Sequence, residues 1–270
     1  MTIVRLGSVP AMATAIDYEG RLSQAYVRGR ALSPGAERIW RATFARHLRT
    51  LDAAPADGPG RVLDVGAGAG RFTPMLAQAA GGAFVIAVEP AAGMRVQARA
   101  PAGRSVSQVA GAAEALPVED GSCRAALLSM VIHHLGDRAG AVAELRRALE
   151  PGGLVLLRNA FAGRLDRTRY YEFFPTAKEV DEARMPCVEE VVADFGDQGF
   201  IPVALETVEQ VIDVDLAAHC ERLSRRAIST FELISEEDFR RGMDAAREAA
   251  RREPPAPVVD PVDLLVLRAP

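Results

Sequence analysis

Nine consecutive residues carry the first chemical signal of this 270-residue chain: Val62-Leu63-Asp64-Val65-Gly66-Ala67-Gly68-Ala69-Gly70. An apolar run enters a glycine turn, and a helical pattern (Phe72, Met75, Leu76, Ala79) follows at once. Glycine lets the backbone approach a ligand that any Cβ would repel. The start of the following helix then offers unpaired N–H groups to ligand oxygens. The turn therefore suits a nucleotide-like ligand, with Gly66, Ala67, Gly68 and Gly70 as its contacts. Its spacing is G-x-G-x-G, and Arg71 stands where a dinucleotide site would place its last glycine. That disfavours a nicotinamide cofactor.

About twenty residues on, Ala83–Glu89 (AFVIAVE) reads as a second strand ending in a carboxylate, and Pro90 stops it. A carboxylate there can accept both hydroxyls of a ribose. His133 and His134 follow a further apolar strand, Cys123–Met130, at the sheet edge where ligands bind. An ordinary imidazole pKa of about 6.5 suits proton abstraction, so a rate rising with pH through that value is expected. The plainer alternative is that both histidines shape a pocket or bond to neighbouring backbone. His134 is the stronger candidate base, because two adjacent residues in extended geometry cannot both face one cleft. Asp64 is expected to orient the loop or reach the ligand rather than move protons.

The elements that must position these groups alternate along the chain. Weak strand Val106–Val109 precedes Gly111-Ala112-Ala113-Glu114-Ala115-Leu116-Pro117, and a helix ending over Glu144–Glu150 leads through Pro151-Gly152-Gly153 to strand Leu154–Leu157. Such alternation predicts an α/β fold, a doubly wound and mostly parallel sheet with helices on both faces. Upstream, Tyr18, Leu22, Tyr26 and Arg30 share one helical face, and Ser33-Pro34 starts a second helix carrying Ile39, Trp40, Phe44 and Leu48. The first of these helices is either surface packing or a lid over the cleft. Ala53–Gly60 reads as a linker.

Downstream, Phe161–Pro186 reads as irregular, with five aromatics (Phe161, Tyr170, Tyr171, Phe173, Phe174) in a chain that is only 6% aromatic. Helix Val188–Phe195, a strand near Val203–Val214, a helical excursion Leu216–Arg252 and a closing strand Val262–Leu267 complete the pattern. Ser235 with Asp238 three residues later marks a helix start, and Pro-rich Glu253–Pro261 ends it.

Taken in order, VLDVGAGAG, the acid Glu89, GAAEALP, SMVIHHL and LRRALEPGGLVLL resemble the motifs of the class I S-adenosylmethionine-dependent methyltransferases, over roughly Arg61 to Ala160. The resemblance implies a Rossmann-like seven-stranded sheet whose last strand is antiparallel. It implies S-adenosyl-L-methionine as cofactor, held by Tyr18, Tyr26, Asp64, Gly66, Ala67, Gly68, Gly70, Glu89, Pro90, Met94, Ala112, Ala113, Glu114 and Ser129. His134 and His133 are the catalytic candidates. Where the family's adenine loop often has Asp or Asn this chain has Ala112, so main-chain groups of Ala112 and Ala113 must do more. The expected organisation is an N-terminal helical lid (1–54), a cofactor-binding core (55–160), an aromatic-rich insertion (161–186) and a C-terminal part of the sheet (187–270) with a helical insertion at 215–252. In-line methyl transfer requires no metal and no covalent intermediate, only alignment in a dry site. A non-catalytic cofactor-binding partner and a nicotinamide-dependent oxidoreductase are the competing readings.

Composition narrows the acceptor. A net charge of −4 with no basic stripe argues against nucleic acid, and the paired arginines at 225–226, 240–241 and 251–252 sit among acids on solvated faces. The three cysteines show no C-x-x-C pairing, which fits reduced thiols in a cytoplasmic protein rather than a zinc site or disulfide framework. Nothing resembles a signal peptide or a membrane span. A small-molecule acceptor is therefore expected, an apolar or aromatic secondary metabolite by the aromatic insertion, with a homodimer left open.

Overall fold

The structure, a computed structural model, describes residues 18–51, 60–98 and 105–270. The linker expected at 53–60 therefore lies outside the described residues except for its last position, and so does the side chain of Tyr26. Seven strands form one sheet in the order β3-β2-β1-β4-β5-β7-β6. They are β1 (Arg61–Val65), β2 (Phe84–Val88), β3 (Val106–Val109), β4 (Cys123–Ser129), β5 (Leu149–Asn159), β6 (Ile201–Asp213) and β7 (Val258–Arg268). The first five pair in parallel, whereas β7 runs antiparallel between β5 and β6. The expected sheet is present, and its order reverses between β1 and β4, where an open α/β sheet leaves a crevice.

Period two along each strand divides the core. Ala125 and Leu127 of β4 pack with Trp40 and Phe44 on one face, while Ala126 and Leu128 pack with Leu145 and Phe195 on the other. Trp40 and Phe44 belong to α2 (Pro34–Leu48), and Met75 and Leu76 of α3 (Thr73–Ala79) join them. The opposite face is covered by α5 (Arg138–Ala148) and α7 (Val188–Gly196). Ser33 caps α2 by accepting from Ala36 N at 3.1 Å, and its own hydroxyl donates to Val211 O at 2.7 Å. One residue thus starts the helix and ties it to the sheet.

Three sequence expectations change. Strand β5 begins at Leu149, so the Pro-Gly-Gly turn lies inside it as an irregular stretch where the β4 register shifts. Strand β7 begins at Val258 and runs through Pro261, longer than the apolar core of Val262–Leu267 indicated. The stretch 161–186 is not irregular throughout: Pro175 opens α6 (Pro175–Arg184), a position where its missing N–H has no helical partner to lose.

The two insertions, far apart in sequence, make one cap. Phe174 and Ala177 pack with Cys220 and Leu223 of α8 (Leu216–Ser224), with Phe231, and with Phe239, Met243 and Ala246 of α9 (Glu236–Arg252). The rings of Phe174 and Phe231 lie 4.8 Å apart, and a Cβ on Gly242 would stand 2.4 Å from Phe174. Phe173 and Phe174 therefore hold the cap together instead of lining a substrate cleft. Helix α1 (Arg21–Gly29) leans on the cap so closely that a Cβ on Gly29 would meet Ala227 Cβ at 2.2 Å.

Candidate functional site

The glycine turn leaves β1 at the crevice with Gly66, Gly68 and Gly70 all at positive φ (65°, 57° and 72°). Gly66 N and Ala67 N donate to Val88 O, which clips the turn to β2. A Cβ on Gly66 would stand 2.6 Å from Val131, so both conformation and space require glycine there. Gly70 N closes the turn on Ala67 O at 2.9 Å. Met94, 3% exposed, has its methyl 3.1 Å from where a Gly68 Cβ would be. It belongs to α4 (Ala92–Gln97).

Glu89 follows β2 and is 7% exposed. One carboxylate oxygen accepts from Gly68 N at 2.8 Å and the other from Ala91 N at 2.9 Å. An ionised carboxylate offers about four acceptor positions, so two remain for a ligand. Burial raises its pKa, opposed by those two backbone bonds. Pro90 contributes its carbonyl to Arg95. Asp64 is 2% exposed and accepts from Thr73 Oγ1 at 2.6 Å, across the turn it precedes. Burial, with the charge of Glu89 adding to it, pushes Asp64 up to about 6. Its visible task is to tie β1 to the start of α3.

On the far side of the turn, Ala112 and Ala115 form an isolated antiparallel bridge, and Ala113 is buried. The loop is braced from α5: Glu144 accepts from Leu116 N while Arg147 donates to the carbonyls of Leu116 and Val118. Glu114 is half-buried beside it. Ser129, at the end of β4, accepts from Arg158 at 3.3 Å.

Tyr18 is not on a helix, since α1 starts at Arg21 and ends before Arg30. It stands in a turn that brings its hydroxyl to 3.0 Å from His134 Nε2. Glu19 beside it accepts from Ala92 N and Gly93 N at 2.9 and 2.6 Å, at the start of α4. Gly93 admits this approach, because a Cβ there would lie 2.5 Å from the Glu19 carbonyl oxygen. Nothing in the sequence pattern singled out Glu19; only the docking of its segment gives it a role.

His133 and His134 lie in a single 3-10 turn, Ile132–His134, with ring centroids 4.1 Å apart. Both line the same cavity, contrary to the expectation from extended geometry, because a 3-10 turn does not alternate sides. His133 Nδ1 lies 3.3 Å from Asn159 Oδ1. Burial and the nearby Arg184 cation depress both imidazoles, His134 to about 4 and His133 well below its usual range. Neither is the near-neutral titrating group that the sequence led one to expect.

The cavity itself lies between the His133–His134 turn, the end of α1 and the cap, and Arg71, just after the glycine turn, also lines it. It is more polar than an aromatic-rich insertion suggested. Tyr170 and Tyr171 line it, yet both hydroxyls donate to Asp181 Oδ2 (3.2 and 2.7 Å). Asp181, fully buried on α6, also accepts from Arg184 and Thr230. These polar residues come from two insertions that only the tertiary fold unites. Among the described residues no group of His, Cys, Asp or Glu is arranged to hold a metal ion, and no helix is long and apolar enough to cross a membrane.

Known proteins match part of this sequence and its fold. Residues 63–157 fit the family described as "Methyltransferase domain". A demethylmenaquinone methyltransferase of Thermus thermophilus is 34% identical over 131 residues, covering 47% of this chain and 57% of that protein. The chain spans about half the length of the curated relatives it matches. Among solved structures, one described as a methyltransferase of an antibiotic biosynthesis pathway in Anabaena variabilis superposes with TM-score 0.64 at 20% identity, covering 85% of this chain and 99% of that one. A Haemonchus contortus phosphoethanolamine N-methyltransferase bound to S-adenosylhomocysteine gives TM-score 0.58 at 18% identity, covering 92% and 57%. With the glycine turn, the acid after β2 and the sheet order in place, residues 63–157 carry a domain of the class I S-adenosylmethionine-dependent methyltransferase type.

Proposed function

We propose that this protein transfers a methyl group from S-adenosylmethionine to an oxygen of a small-molecule acceptor, of secondary-metabolite type. One observation carries the reading: the buried Glu89 carboxylate is seated on Gly68 N and Ala91 N, next to the start of α4 on which Glu19, the neighbour of Tyr18, is docked. Glu89 would take the ribose hydroxyls, the positive-φ glycines would admit the cofactor's body, and the Ala112–Ala113 backbone would border the adenine. When bound, the cofactor supplies a methyl carbon on a positively charged sulfur.

The chain's own groups then align and dehydrate the acceptor. Such positioning accounts for roughly 7–11 kcal/mol of a barrier where geometry is well held. A base of pKa about 4 is weak against an alcohol. It suffices once the attacking oxygen has begun to bond to carbon, because a protonated ether is strongly acidic. The acceptor proton would pass to the Tyr18 hydroxyl oxygen as the Tyr18 proton moves to His134 Nε2, with the methyl carbon supplied from the sulfur of the bound cofactor. A methylated amine holds its proton far more tightly, so His134 suits an oxygen acceptor better. The test is mass spectrometry of extract small molecules incubated with the protein and methyl-labelled cofactor. An O-methylated product is expected; absence of both cofactor binding and labelled product would overturn the reading.

A further inference from the structure

Behind the cavity that contains His134 lies an inner recess of about 40 Å³, walled by α8, the Ala227–Ile228 turn, Ile212 of β6 and Asp260 of β7. Arg30, Tyr170 and Asp260 line both this recess and the outer cavity of about 120 Å³, so the two adjoin. A water needs roughly 10–15 Å³ on such a measure, so the recess admits one functional group. The outer cavity is near the ~150 Å³ known to hold a benzene.

His219 on α8 lines the recess and is 2% exposed. Its Nδ1 lies 2.8 Å from Asp213 Oδ2. An ionised carboxylate only accepts, so Nδ1 donates to it, and in the neutral ring Nε2 is an acceptor. Arg222 already grips both Asp213 oxygens, at 3.0 and 2.9 Å, and so meets that carboxylate's charge. Nε2 itself is buried with no hydrogen-bond partner. Folded proteins seldom leave a buried acceptor in that state. Of the other residues lining the recess, the Arg30 guanidinium has no hydrogen-bond partner among the described residues, and Asp260 accepts from Gln210 only at 3.4 Å.

We propose that this recess selects the acceptor by its far end: a neutral hydroxyl or carboxamide on a single-ring molecule, donating to His219 Nε2 and accepting from Arg30. The inference rests on the methyl-transfer reading above and names its substrate class. A carboxylate terminus fits poorly, because Asp260 shares the recess and a carboxylate has no proton to give Nε2.

Calorimetry on the whole chain, saturated with S-adenosylhomocysteine, tests this with phenol, benzamide, benzoate and toluene as probes. Phenol and benzamide are expected to bind at least about ten-fold more tightly than toluene and benzoate. His219→Phe should erase that preference. His219→Gln, whose carbonyl reaches about as far as Nε2, should keep it. S-adenosylhomocysteine affinity should be unchanged in both, which also reports that they fold. Should His219→Phe fail to fold, Arg30→Met must show a loss of about ten-fold for benzamide. A wild type without the preference, or either the Phe or the Met variant retaining it, overturns the proposal. If S-adenosylhomocysteine itself does not bind, the methyl-transfer reading fails instead, and the same probes titrated alone decide the recess.

Discussion

Tyr18 and His134 stand 116 positions apart in the chain and meet at 3.0 Å, hydroxyl to Nε2, with their rings edge to face. The contact exists only while the segment before α1 is docked on α4 through Glu19. Tyr18→Phe keeps the ring packing and removes the relay. The expected result is a kcat lower by about 10²-fold, the bottom of the range for lost proton transfer, with cofactor affinity unchanged. An unchanged kcat would show that Tyr18 only packs.

His134→Ala should lower kcat by about 10²–10⁴ without weakening cofactor binding. The pH profile carries the sharper sign. His134 is depressed to about 4 by burial and Arg184, so the imidazole is unprotonated and competent throughout neutral pH. The rate should be flat from about pH 6 upward and fall only as pH drops toward 4. A limb near the ordinary histidine value would show that His134 is not the group observed.

Glu89→Ala removes the acceptor of Gly68 N and Ala91 N as well as the proposed ribose contact. Calorimetry should show cofactor affinity weaker by about 1.5–3 kcal/mol, the range for a hydrogen bond to a charged group. An unchanged affinity would remove the ribose assignment.

Asp64→Asn tests a buried charge. Burial raises the Asp64 pKa to about 6, so the folded state resists ionisation that the unfolded chain accepts at lower pH. Stability contributed by the protonated form is present below the unfolded value and lost as pH rises through about 6. Asparagine has no charge to bury and still offers Thr73 an oxygen. The variant should therefore be more stable than wild type at pH 8, by about 1–3 kcal/mol, with the gap closing as pH falls toward 4. Denaturant titrations at both pH values measure it.

Asp181→Ala should destabilise the protein by about 3–5 kcal/mol, as expected when one partner of a buried charged network is removed. It strips the acceptor from Tyr170, Tyr171, Thr230 and Arg184 together. A melting temperature equal to wild type would mean that water replaces the carboxylate without cost.

The core of the fold was legible because its signals are local. A strand running into glycines, an acid at the end of the next strand, and Ser33 or Ser235 before a helix each act through neighbours within a few positions. The alternation of strands and helices, and so the mostly parallel sheet, follows from them, while the seven strands with an antiparallel last one were what the family resemblance implied. Three things were decided only by the tertiary structure, because they depend on groups remote in sequence. The irregular-looking 161–186 joins α8 and α9 into a cap, since the rings that pack closest on Phe174, those of Phe231 and Phe239, lie more than fifty residues away in sequence. The histidines lose their ordinary pKa through burial beneath that cap and the Arg184 it brings. The polar cavity itself, with Asp181, Arg30 and His219, exists only where the N-terminal segment, the sheet edge and both insertions close on one another. Desolvation and charge act through space, and a linear pattern records neither.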